Sequence, residues 1–453
     1  MAIVIAGERS GVGKTTVTLA LLASLCRRGL LVQSFKVGPD YIDPMFHQHV
    51  TGRPCRNLDP VLTSVNYVQQ CFAHHTQGVD YALVEGVMGL FDGATGTNDW
   101  ASTAHVARLL HLPVVLVVDC SRLSYTVAAI VHGYRSFDPQ LKLAGVVLNR
   151  VGSDRHLELL QAALEPLHLP ILGILRRQDN ITIPDRHLGL VPTAEITQLN
   201  PLIDRLAQLG DSCFDWQHLL PLLKSPTSSP YLTIPSSPHS PPPLRLAIAR
   251  DRAFSFYYQD NLDLLQQLGA QLIPWSPLSD RTLPENIQGL YFGGGFPEVF
   301  AQQLAENYPI RAAVRAALQS GIPTYAECGG LMYLCQQIVD FDGKAWAMIG
   351  AIPTIAVMSS RLTLGYRQAT ALQDSPLLNA GTKVWGHEFH RSRLTEIPMH
   401  PLFQIRGYEA QSSSTLEGWQ LHNIHASYVH LHFGERLEIP RRFLQHCASF
   451  SVA

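Results

Sequence analysis

Two kinds of hydrophobic pattern alternate along this chain. Short, almost wholly apolar runs recur, and each is followed by a longer stretch with helical periodicity. The apolar runs are MAIVIAG (1–7), LLVQSFKVG (30–38), YALVEG (81–86), PVVLVVDC (113–120), LAGVVLNRV (143–151), LRLAIA (244–249), IQGLYFGGG (287–295) and GIPTYAE (321–327). Continuous apolar strands that alternate with helices predict parallel sheets covered by helices on both faces. The pattern therefore indicates the α/β class.

One segment interrupts this alternation. Residues 225–243, SPTSSPYLTIPSSPHSPPP, are crowded with Pro and Ser and have neither helical nor strand periodicity, which is typical of an extended linker. A chain of 453 residues also exceeds the usual size of one hydrophobic core. We therefore predict two doubly wound, mainly parallel-sheet domains, at 1–224 and 244–453, joined by this Pro/Ser-rich linker.

Composition narrows the range of partners. The chain is 46% hydrophobic, and its net charge of −2 gives no basic excess for nucleic-acid binding. Its most apolar run, LPVVLVVDC, is too short to span a bilayer, and no signal peptide is evident. The eight cysteines include no C-x-x-C pair. We expect a cytoplasmic protein that binds a small molecule and neither nucleic acid nor membrane; the oligomeric state stays open.

The first candidate site is a glycine-rich turn between the first apolar run and a helix, in AGERSGVGKTT (6–16). In such a turn, backbone N–H groups surround phosphates, Lys14 reaches the β- and γ-phosphates, and Thr15 can bind Mg²⁺. Glu8 stands where the strict G-x-x-x-x-G-K-[ST] pattern has its first Gly, so a chance glycine-rich turn is the alternative. The predicted ATP-binding residues here are Gly11, Gly13, Lys14, Thr15 and Thr16.

The second run ends in FKVGPDYIDPMFH (35–47). Lys36 would place a second ammonium near the γ-phosphate of ATP. Asp40 and Asp43 lie where carboxylates could hold Mg²⁺ or contact a substrate, and both are assigned, with Tyr41, to substrate binding and activation. The alternative is an ordinary turn with solvated acids, which the local sequence supports about equally.

Three more polar residues follow strand ends. Glu85 ends YALVEG and is predicted to bind Mg²⁺, because P-loop enzymes carry a carboxylate at this place. Asp92, one loop further on, is assigned to substrate activation. Asn149 could pair with adenine, although Asn in a loop is more often a turn residue.

Cys328, in GIPTYAECGGL (321–331), is the candidate nucleophile. An isolated cysteine is usually a buried thiol, but this one follows an apolar run and precedes two glycines, as a nucleophile on a sharp strand-to-helix turn does. Backbone N–H groups of Gly294, Gly295 and Gly329 are predicted to form an oxyanion hole. A downstream segment, HASYVHLHFGE (425–435), supplies histidines that could act as the base.

These motifs resemble a known family. GGGFPE, YAECGGLMYL, GHEFHRS and SYVHLHF are similar to the class I (triad) glutamine amidotransferase domain of the cobalamin-pathway amidotransferases. AGERSGVGKTT, FKVGPDYIDPMFH and VEGVMGLFDG are similar to the ATP-binding domain of the same enzymes, whose P-loop resembles that of dethiobiotin synthetase. The resemblance covers nearly the whole chain, in order.

The resemblance implies a ligase that uses ATP, glutamine and Mg²⁺. It would convert the a and c carboxylates of cobyrinate, a corrinoid, into amides through acyl phosphates, with ammonia released from glutamine by Cys328. The same chemistry on hydrogenobyrinate or nickel-sirohydrochlorin is one alternative. A P-loop regulatory or metal-insertion ATPase is another.

The resemblance also implies which histidine is the base. Aligning the final Phe of the related H-G-L-F motif with Phe433 selects His430 over His432. Many triad amidotransferases carry Glu two residues after the base, where this chain has His432, so a Cys-His dyad or a remote carboxylate stays open. Glu388 and His390 are candidates for contacts with glutamine or the corrinoid; a surface charge and a structural histidine are the alternatives.

Overall fold

The computed structural model describes residues 2–95, 98–177, 181, 183–186, 189–225, 243–409 and 412–450. These residues form two compact units, one drawn mainly from residues up to 225 and one mainly from residues 243 onwards. Nearly all of the predicted linker, 225–243, lies outside the described residues. The domain boundaries at 224 and 244 therefore stay predictions.

A seven-stranded parallel sheet organises the first unit, in the order β3-β2-β4-β1-β5-β6-β7. Its strands are β1 (Ile3–Gly7), β2 (Val32–Val37), β3 (Arg56–Leu58), β4 (Tyr81–Glu85), β5 (Val114–Asp119), β6 (Leu143–Val151) and β7 (Ile171–Arg176). The five apolar runs predicted as strands in this half are confirmed. Because the strand order runs outward from β1 in both directions, a crevice opens at the carboxyl ends of the strands beside β1.

Helices cover this sheet. They are α1 (Lys14–Arg27), α2 (Ile42–Thr51), α3 (Val65–His75), α4 (Thr103–Leu109), α5 (Thr126–Phe137), α6 (Asp154–Leu164), α7 (Leu199–Cys213) and α8 (Trp216–Leu223). Short 3₁₀ turns lie at Glu165–Leu167 and Thr193–Glu195, and β8 (Asp185–Arg186) pairs with β9 (Gly189–Leu190). Helix starts follow local chemistry, since the Ser64 and Ser153 hydroxyls accept hydrogen bonds from the backbone of the first turns of α3 and α6.

The second unit contains a mixed sheet. Its strands are β10 (Leu244–Ala249), β11 (Ala270–Trp275), β12 (Gly289–Phe292), β13 (Thr324–Glu327), β14 (Cys335–Val339), β15 (Ala345–Ala347), β16 (Ile352–Ala371), β17 (Lys383–Leu394), β18 (Pro401–Gly407), β19 (Thr415–Leu421), β20 (Ile424–Ser427) and β21 (His430–Leu431). Its helices are α9 (Gln259–Gln267), α10 (Ala301–Glu306), α11 (Tyr308–Gln319), α12 (Gly329–Leu334) and α13 (Glu438–Ser449).

The parallel part of this sheet runs β11-β10-β12-β13-β20 and includes all three strands predicted in this half. From β20 the sheet continues through β19, β18 and β16 in antiparallel pairs, and β17 pairs antiparallel with both β16 and β21. This antiparallel extension is not among the predicted elements. The α/β class is confirmed, and the extension brings His430 of β21 back to the end of the parallel strands.

Two further observations concern the chain as a whole. All eight cysteines are free thiols, as the lack of paired spacing predicts. Among the residues that the structure describes, no helix has the length and apolar content needed to cross a membrane.

Candidate active sites

The glycine-rich turn before α1 has the geometry of a phosphate-binding loop. Gly13 has φ 97°, and a Cβ at this position would stand 2.3 Å from Nδ2 of Asn149, so both the backbone conformation and the space require glycine. Lys14 is the first residue of α1, and its Nζ donates to the carbonyls of Arg9 (3.1 Å) and Met88 (2.5 Å). These contacts hold the ammonium over the loop, where phosphate oxygens would bind.

A cavity of about 1000 Å³ opens beside this loop. The sequence-predicted residues that line it are Gly11, Gly13, Lys14, Thr15, Thr16, Lys36, Asp40, Asp43 and Asn149. Its wall also carries cations that the sequence analysis missed: Arg122, Arg150, Arg176 and Arg177. Arg150 and Arg176 belong to β6 and β7, so a search for basic residues at strand ends would have found them. The cationic lining suits a polyanionic ligand.

Buried carboxylates surround Lys36 beneath this cavity. Lys36 Nζ lies 2.5 Å from Oδ2 of Asp43 and 3.0 Å from Oε1 of Glu85. The Thr15 hydroxyl donates to the same Glu85 oxygen at 2.7 Å and to Asp43 at 3.3 Å. His47 Nε2 contacts the other Glu85 oxygen at 2.7 Å. The end of β2, the end of β4 and the start of α1 thus meet in one charged cluster.

Electrostatics in the cluster shift several pKa values. Burial, with help from the nearby Lys36 charge, lowers the pKa of Lys14 to about 8. Burial also raises the pKa of Asp43 to about 7, and the Asp40 charge adds to this shift. Burial acts in the opposite direction on Glu85, but the contacts with Lys36 and His47 outweigh it and hold the pKa of Glu85 below its ordinary value. Glu85 is therefore an anion in the native protein.

Asp40, Asp43 and Asn149 all line this cavity. Oδ1 of Asp40 accepts from the backbone N–H groups of Ile42 and Asp43 at the start of α2, and its Oδ2 lies 3.7 Å from Lys36 Nζ, while Asp43 is the acid beside Thr15. Binding of Mg²⁺ or substrate by Asp40 stays a prediction. The Asn149 amide donates to Val12 O at 2.7 Å and braces the phosphate-binding loop. Contact of Asn149 with adenine stays a prediction.

Three other predicted residues do not line the cavity. Tyr41 is buried, and Glu85 lies beneath Thr15 with no exposed surface. Asp92 accepts from Gly89 N at 2.8 Å in a tight loop. The roles of Tyr41 and Asp92 in substrate binding and activation stay predictions.

The second unit holds Cys328 on a strained turn between β13 and α12. Its φ of 47° and ψ of −99° are costly for a residue with a side chain, by about 1–3 kcal/mol. Its N–H donates to Ser427 O at 2.8 Å, and a Cβ on Gly330 would stand 2.6 Å from Phe292, so the turn packs tightly against its neighbours. A sharp strand-to-helix turn of this kind is the place where many enzymes carry a catalytic nucleophile.

Cys328 itself is 4% exposed, and its Sγ lies 3.9 Å from the carbonyl oxygen of Phe389 in β17. Burial, reinforced by the Glu298 charge, raises the pKa of this thiol far above its ordinary value. The thiol therefore stays protonated until a base removes its proton.

His430 comes to the same end of the sheet. It pairs with His387 across β21 and β17, two residues before the Phe389 carbonyl that Cys328 contacts. A Cβ on Gly294 would stand 2.5 Å from Cε1 of His430 and 3.3 Å from its Nε2, so only glycine allows the ring to sit here. The Nδ1 atom faces Glu327, the residue before Cys328, with Oε2 at 3.8 Å.

One of the three backbone N–H groups predicted to form the oxyanion hole has another partner. The Gly294 N–H donates to Phe256 O at 3.2 Å, so it does not point at a ligand. Gly329 is the first residue of α12, and its Cβ position would lie 3.0 Å from the Gly295 nitrogen. The two glycines that approach one another, Gly295 and Gly329, therefore stay as the predicted donors.

The remaining candidates are also placed in this unit. His432 is buried, with its Nε2 3.8 Å from Asp260 and its Nδ1 accepting from Gly434 N at 3.0 Å. Glu388 contacts Arg367 at 2.5 Å and His390 at 3.6 Å, and all three belong to β16 and β17. Neither Glu388 nor His390 is a surface residue.

Three further residues near this site, Arg367, Glu298 and Glu327, were not predicted from the sequence. Glu298 ends GGGFPE and Glu327 stands next to Cys328, so both lie in quoted motifs. Arg367 lies within a long antiparallel strand whose place in the fold was not predicted.

Each of the two units matches a known protein family. Residues 3–191 match a family described as the CobQ/CobB/MinD/ParA nucleotide binding domain, and residues 245–437 match the CobB/CobQ-like glutamine amidotransferase domain. A Synechococcus sp. protein called cobyrinate a,c-diamide synthase is 61% identical, over 99% of this chain and 98% of that protein. The chain belongs to the cobyrinate a,c-diamide synthase family.

Other relatives show the breadth of the family. The cobyrinate a,c-diamide synthase of Priestia megaterium is 40% identical over 98% of this chain and 96% of its own length. A Streptomyces coelicolor protein called hydrogenobyrinate a,c-diamide synthase is 43% identical over 98% of this chain and 97% of its own length. Relatives in this family are thus named for two different substrates, cobyrinate and hydrogenobyrinate.

Proposed function

We propose that this chain catalyses ATP- and glutamine-dependent amidation of the a and c carboxylates of cobyrinate. The observation that carries the proposal is the presence, in one chain of this family, of a phosphate-binding loop with a cation-lined cavity and a cysteine on a strained strand-to-helix turn. The reaction of a regulatory or metal-insertion ATPase does not require a nucleophilic cysteine. Product formation from cobyrinate, glutamine and ATP tests the proposal.

The glutaminase half-reaction begins at Cys328. His430 takes the thiol proton, and the sulfur attacks the side-chain amide carbon of glutamine. Gly295 and Gly329 donate to the oxyanion of the tetrahedral intermediate. His430 returns the proton to the departing nitrogen, which leaves as ammonia. Water then hydrolyses the thioester, which releases glutamate and restores the thiol.

The synthetase half-reaction uses the cavity beside the phosphate-binding loop. A corrinoid carboxylate oxygen attacks the γ-phosphorus of ATP, ADP leaves, and an acyl phosphate forms. Lys14 and Lys36 stabilise the charge on the transferred phosphoryl group. Ammonia then attacks the acyl carbon and phosphate departs, which leaves the amide. Two such cycles give the diamide.

Mg²⁺ fits the residues around Thr15. This ion prefers oxygen ligands, and the Thr15 hydroxyl lies within 3.3 Å of carboxylate oxygens of both Asp43 and Glu85. Thr15 and Asp43 line the cavity and would hold the ion, while Glu85 supports them from below. When bound, Mg²⁺ neutralises charge on the β- and γ-phosphates.

Hydrogenobyrinate is the second candidate substrate, and the Streptomyces coelicolor relative favours it. The same carboxylates would react, so neither the phosphate-binding loop nor Cys328 distinguishes the two macrocycles. Parallel assays with cobyrinate, hydrogenobyrinate and nickel-sirohydrochlorin separate these substrates directly.

The two late histidines should differ sharply on replacement. We expect His430→Ala to lower glutaminase activity by about 10²–10⁴-fold, the usual loss when a general base is removed. His432→Ala should retain most of the activity, because His432 bonds to Gly434 N and faces Asp260. Glutamate release from glutamine measures both. The reverse pattern would show that His432 is the base.

ATP affinity should fall as the pH rises. The pKa of Lys14 is about 8 in the protein without nucleotide, so its ammonium loses its proton as the pH passes this value. Between about pH 7 and pH 9 we expect the dissociation constant of a non-hydrolysable ATP analogue to rise, by at most about tenfold per pH unit. Calorimetric titration measures this change.

Lys14→Arg is the matched control for this measurement. Arginine keeps its charge throughout the range, so the dissociation constant of the variant should change little with pH. If the dissociation constant of the wild-type protein is equally independent of pH, Lys14 does not bind phosphate through an ammonium group that loses its proton in this range.

A further inference from the structure

We propose that Glu327 is the carboxylate that positions His430 for catalysis. This inference rests on the proposed roles of Cys328 and His430. It supplies an acid that the sequence comparison leaves unassigned, because the position two residues after His430 is occupied by His432. Glu327 lies at the end of β13, directly before the nucleophile, so one strand end would carry both groups.

Distance and burial support the pairing. Oε2 of Glu327 is 3.8 Å from Nδ1 of His430, and the two side chains are 2% and 1% exposed. This separation is longer than a hydrogen bond. Catalytic hydrogen bonds are often long in unliganded proteins and shorten when substrate binds. A carboxylate beside an imidazole ring stabilises the positive charge that the ring gains when it takes up a proton.

The carboxylate is anchored to the same strand as the histidine. Its Oε1 accepts from the N–H of Leu431 at 3.0 Å and from the Tyr325 hydroxyl, and its Oε2 accepts from the Tyr291 hydroxyl at 3.2 Å. Leu431 directly follows His430, so a shift of Glu327 would disturb β21 itself. Three donors therefore hold this carboxylate in place.

The tyrosines remain donors under working conditions. Burial, with the Glu327 charge as the next cause, raises the pKa of both Tyr291 and Tyr325 well above the ordinary value. Each hydroxyl therefore stays protonated and can donate a hydrogen bond. This leaves Glu327 as the acceptor in the network.

The ring orientation agrees with a positioning role. Nδ1 of His430 faces Glu327, whereas Nε2 lies on the side of Gly294, the residue before Gly295. A proton held on Nδ1 by the carboxylate leaves Nε2 as the basic nitrogen. Nε2 then takes the Cys328 proton, and the carboxylate stabilises the imidazolium without itself becoming protonated.

Other charged or titratable groups near this pair have different partners. Glu388 contacts Arg367 and His390, and Glu417 accepts from the Ser427 hydroxyl and the Tyr428 N–H. His387 faces His430 across β17, and burial, followed by the His430 charge, lowers its pKa to about 3, so His387 is neutral. Asp260 faces His432.

The test replaces Glu327 with Gln, which preserves shape and removes the charge. We expect kcat for glutamine hydrolysis to fall by about 10²–10⁴-fold with little change in KM for glutamine. Ammonia-dependent amidation should persist. The acidic limb of the kcat/KM profile should move to lower pH, because the anion that stabilises the imidazolium is lost. Glu327→Asp, which keeps the charge, should recover part of the rate and the original limb.

Asp260→Asn is the matched control, since it removes the acid that lies at the same 3.8 Å distance from His432. It should leave glutamine hydrolysis close to wild type. Near-normal hydrolysis by Glu327→Gln would overturn the inference. So would a parallel loss of both activities without a shift of the acidic limb, because that result indicates a structural role. If His430→Ala retains hydrolysis, the proposed base is wrong; if only Glu327→Gln retains it, this inference alone fails.

Discussion

Replacing Cys328 with Ser is expected to eliminate glutamine-dependent amidation and to leave ammonia-dependent amidation nearly intact. The serine hydroxyl is a far weaker nucleophile than the thiol, so we expect the glutamine-supported rate to fall by at least about 10³-fold. Free ammonia bypasses glutamine hydrolysis but still needs the acyl phosphate. The measurement is the ratio of the two rates at a mildly alkaline pH, where enough ammonia is unprotonated.

Cys335→Ser is the matched control for this experiment. Cys335 is a fully buried thiol in the same hydrophobic core, and its Sγ contacts the Leu331 carbonyl oxygen at 3.3 Å. Burial of a hydroxyl there should lower the free energy of unfolding by about 1–3 kcal/mol and reduce both activities together. An unchanged ratio of rates in Cys328→Ser would mean that Cys328 is a packing residue like Cys335.

Replacing Lys14 with Ala is expected to abolish amidation with either nitrogen source. Both routes need the acyl phosphate, and this phosphoryl transfer depends on positive charge at the γ-phosphate. Because Lys14 also binds the Arg9 and Met88 carbonyls, its loss should open the loop as well. Product formation with saturating ammonia measures the effect, and we expect a loss of at least about 10²-fold.

The control for Lys14→Ala is Lys142→Ala, which removes an exposed lysine of the same unit. This variant should have wild-type activity, because its side chain lies on the surface and does not line the cavity. Glutamine hydrolysis by Lys14→Ala should persist, since that chemistry belongs to the other unit. Normal ammonia-dependent product from Lys14→Ala would contradict the assignment of the nucleotide site.

The sequence predicts the parallel strands well and the antiparallel strands poorly. A parallel strand buried on both faces is almost wholly apolar, as β5 is up to Val118, and such a run can be recognised without knowledge of its partner strands. In β17, KVWGHEFHRSRL, buried residues mix with partly exposed ones, and polar side chains are buried by contacts with distant strands. The pattern of this strand therefore shows no continuous apolar run.

The site residues show the same difference between local patterns and contacts with distant segments. Residues of the phosphate-binding loop are contiguous, so their shared role can be read from a single stretch of chain. The role of Glu327 depends on β20 and β21, which return His430 to the end of β13 from about a hundred residues away. The correction at Gly294 has a similar origin, because its N–H is taken by Phe256, a partner that no local pattern indicates.

Mass spectrometry of the product decides whether this chain converts cobyrinate into its a,c-diamide. Purified protein is incubated with ATP, Mg²⁺, glutamine that carries heavy nitrogen in its side-chain amide, and either cobyrinate, hydrogenobyrinate or nickel-sirohydrochlorin. The account predicts a cobyrinate product in which two carboxyl groups have become amides, both labelled, with fragmentation that places them at positions a and c. Label-free or unreacted cobyrinate, or diamide formation only from another tetrapyrrole, would contradict it.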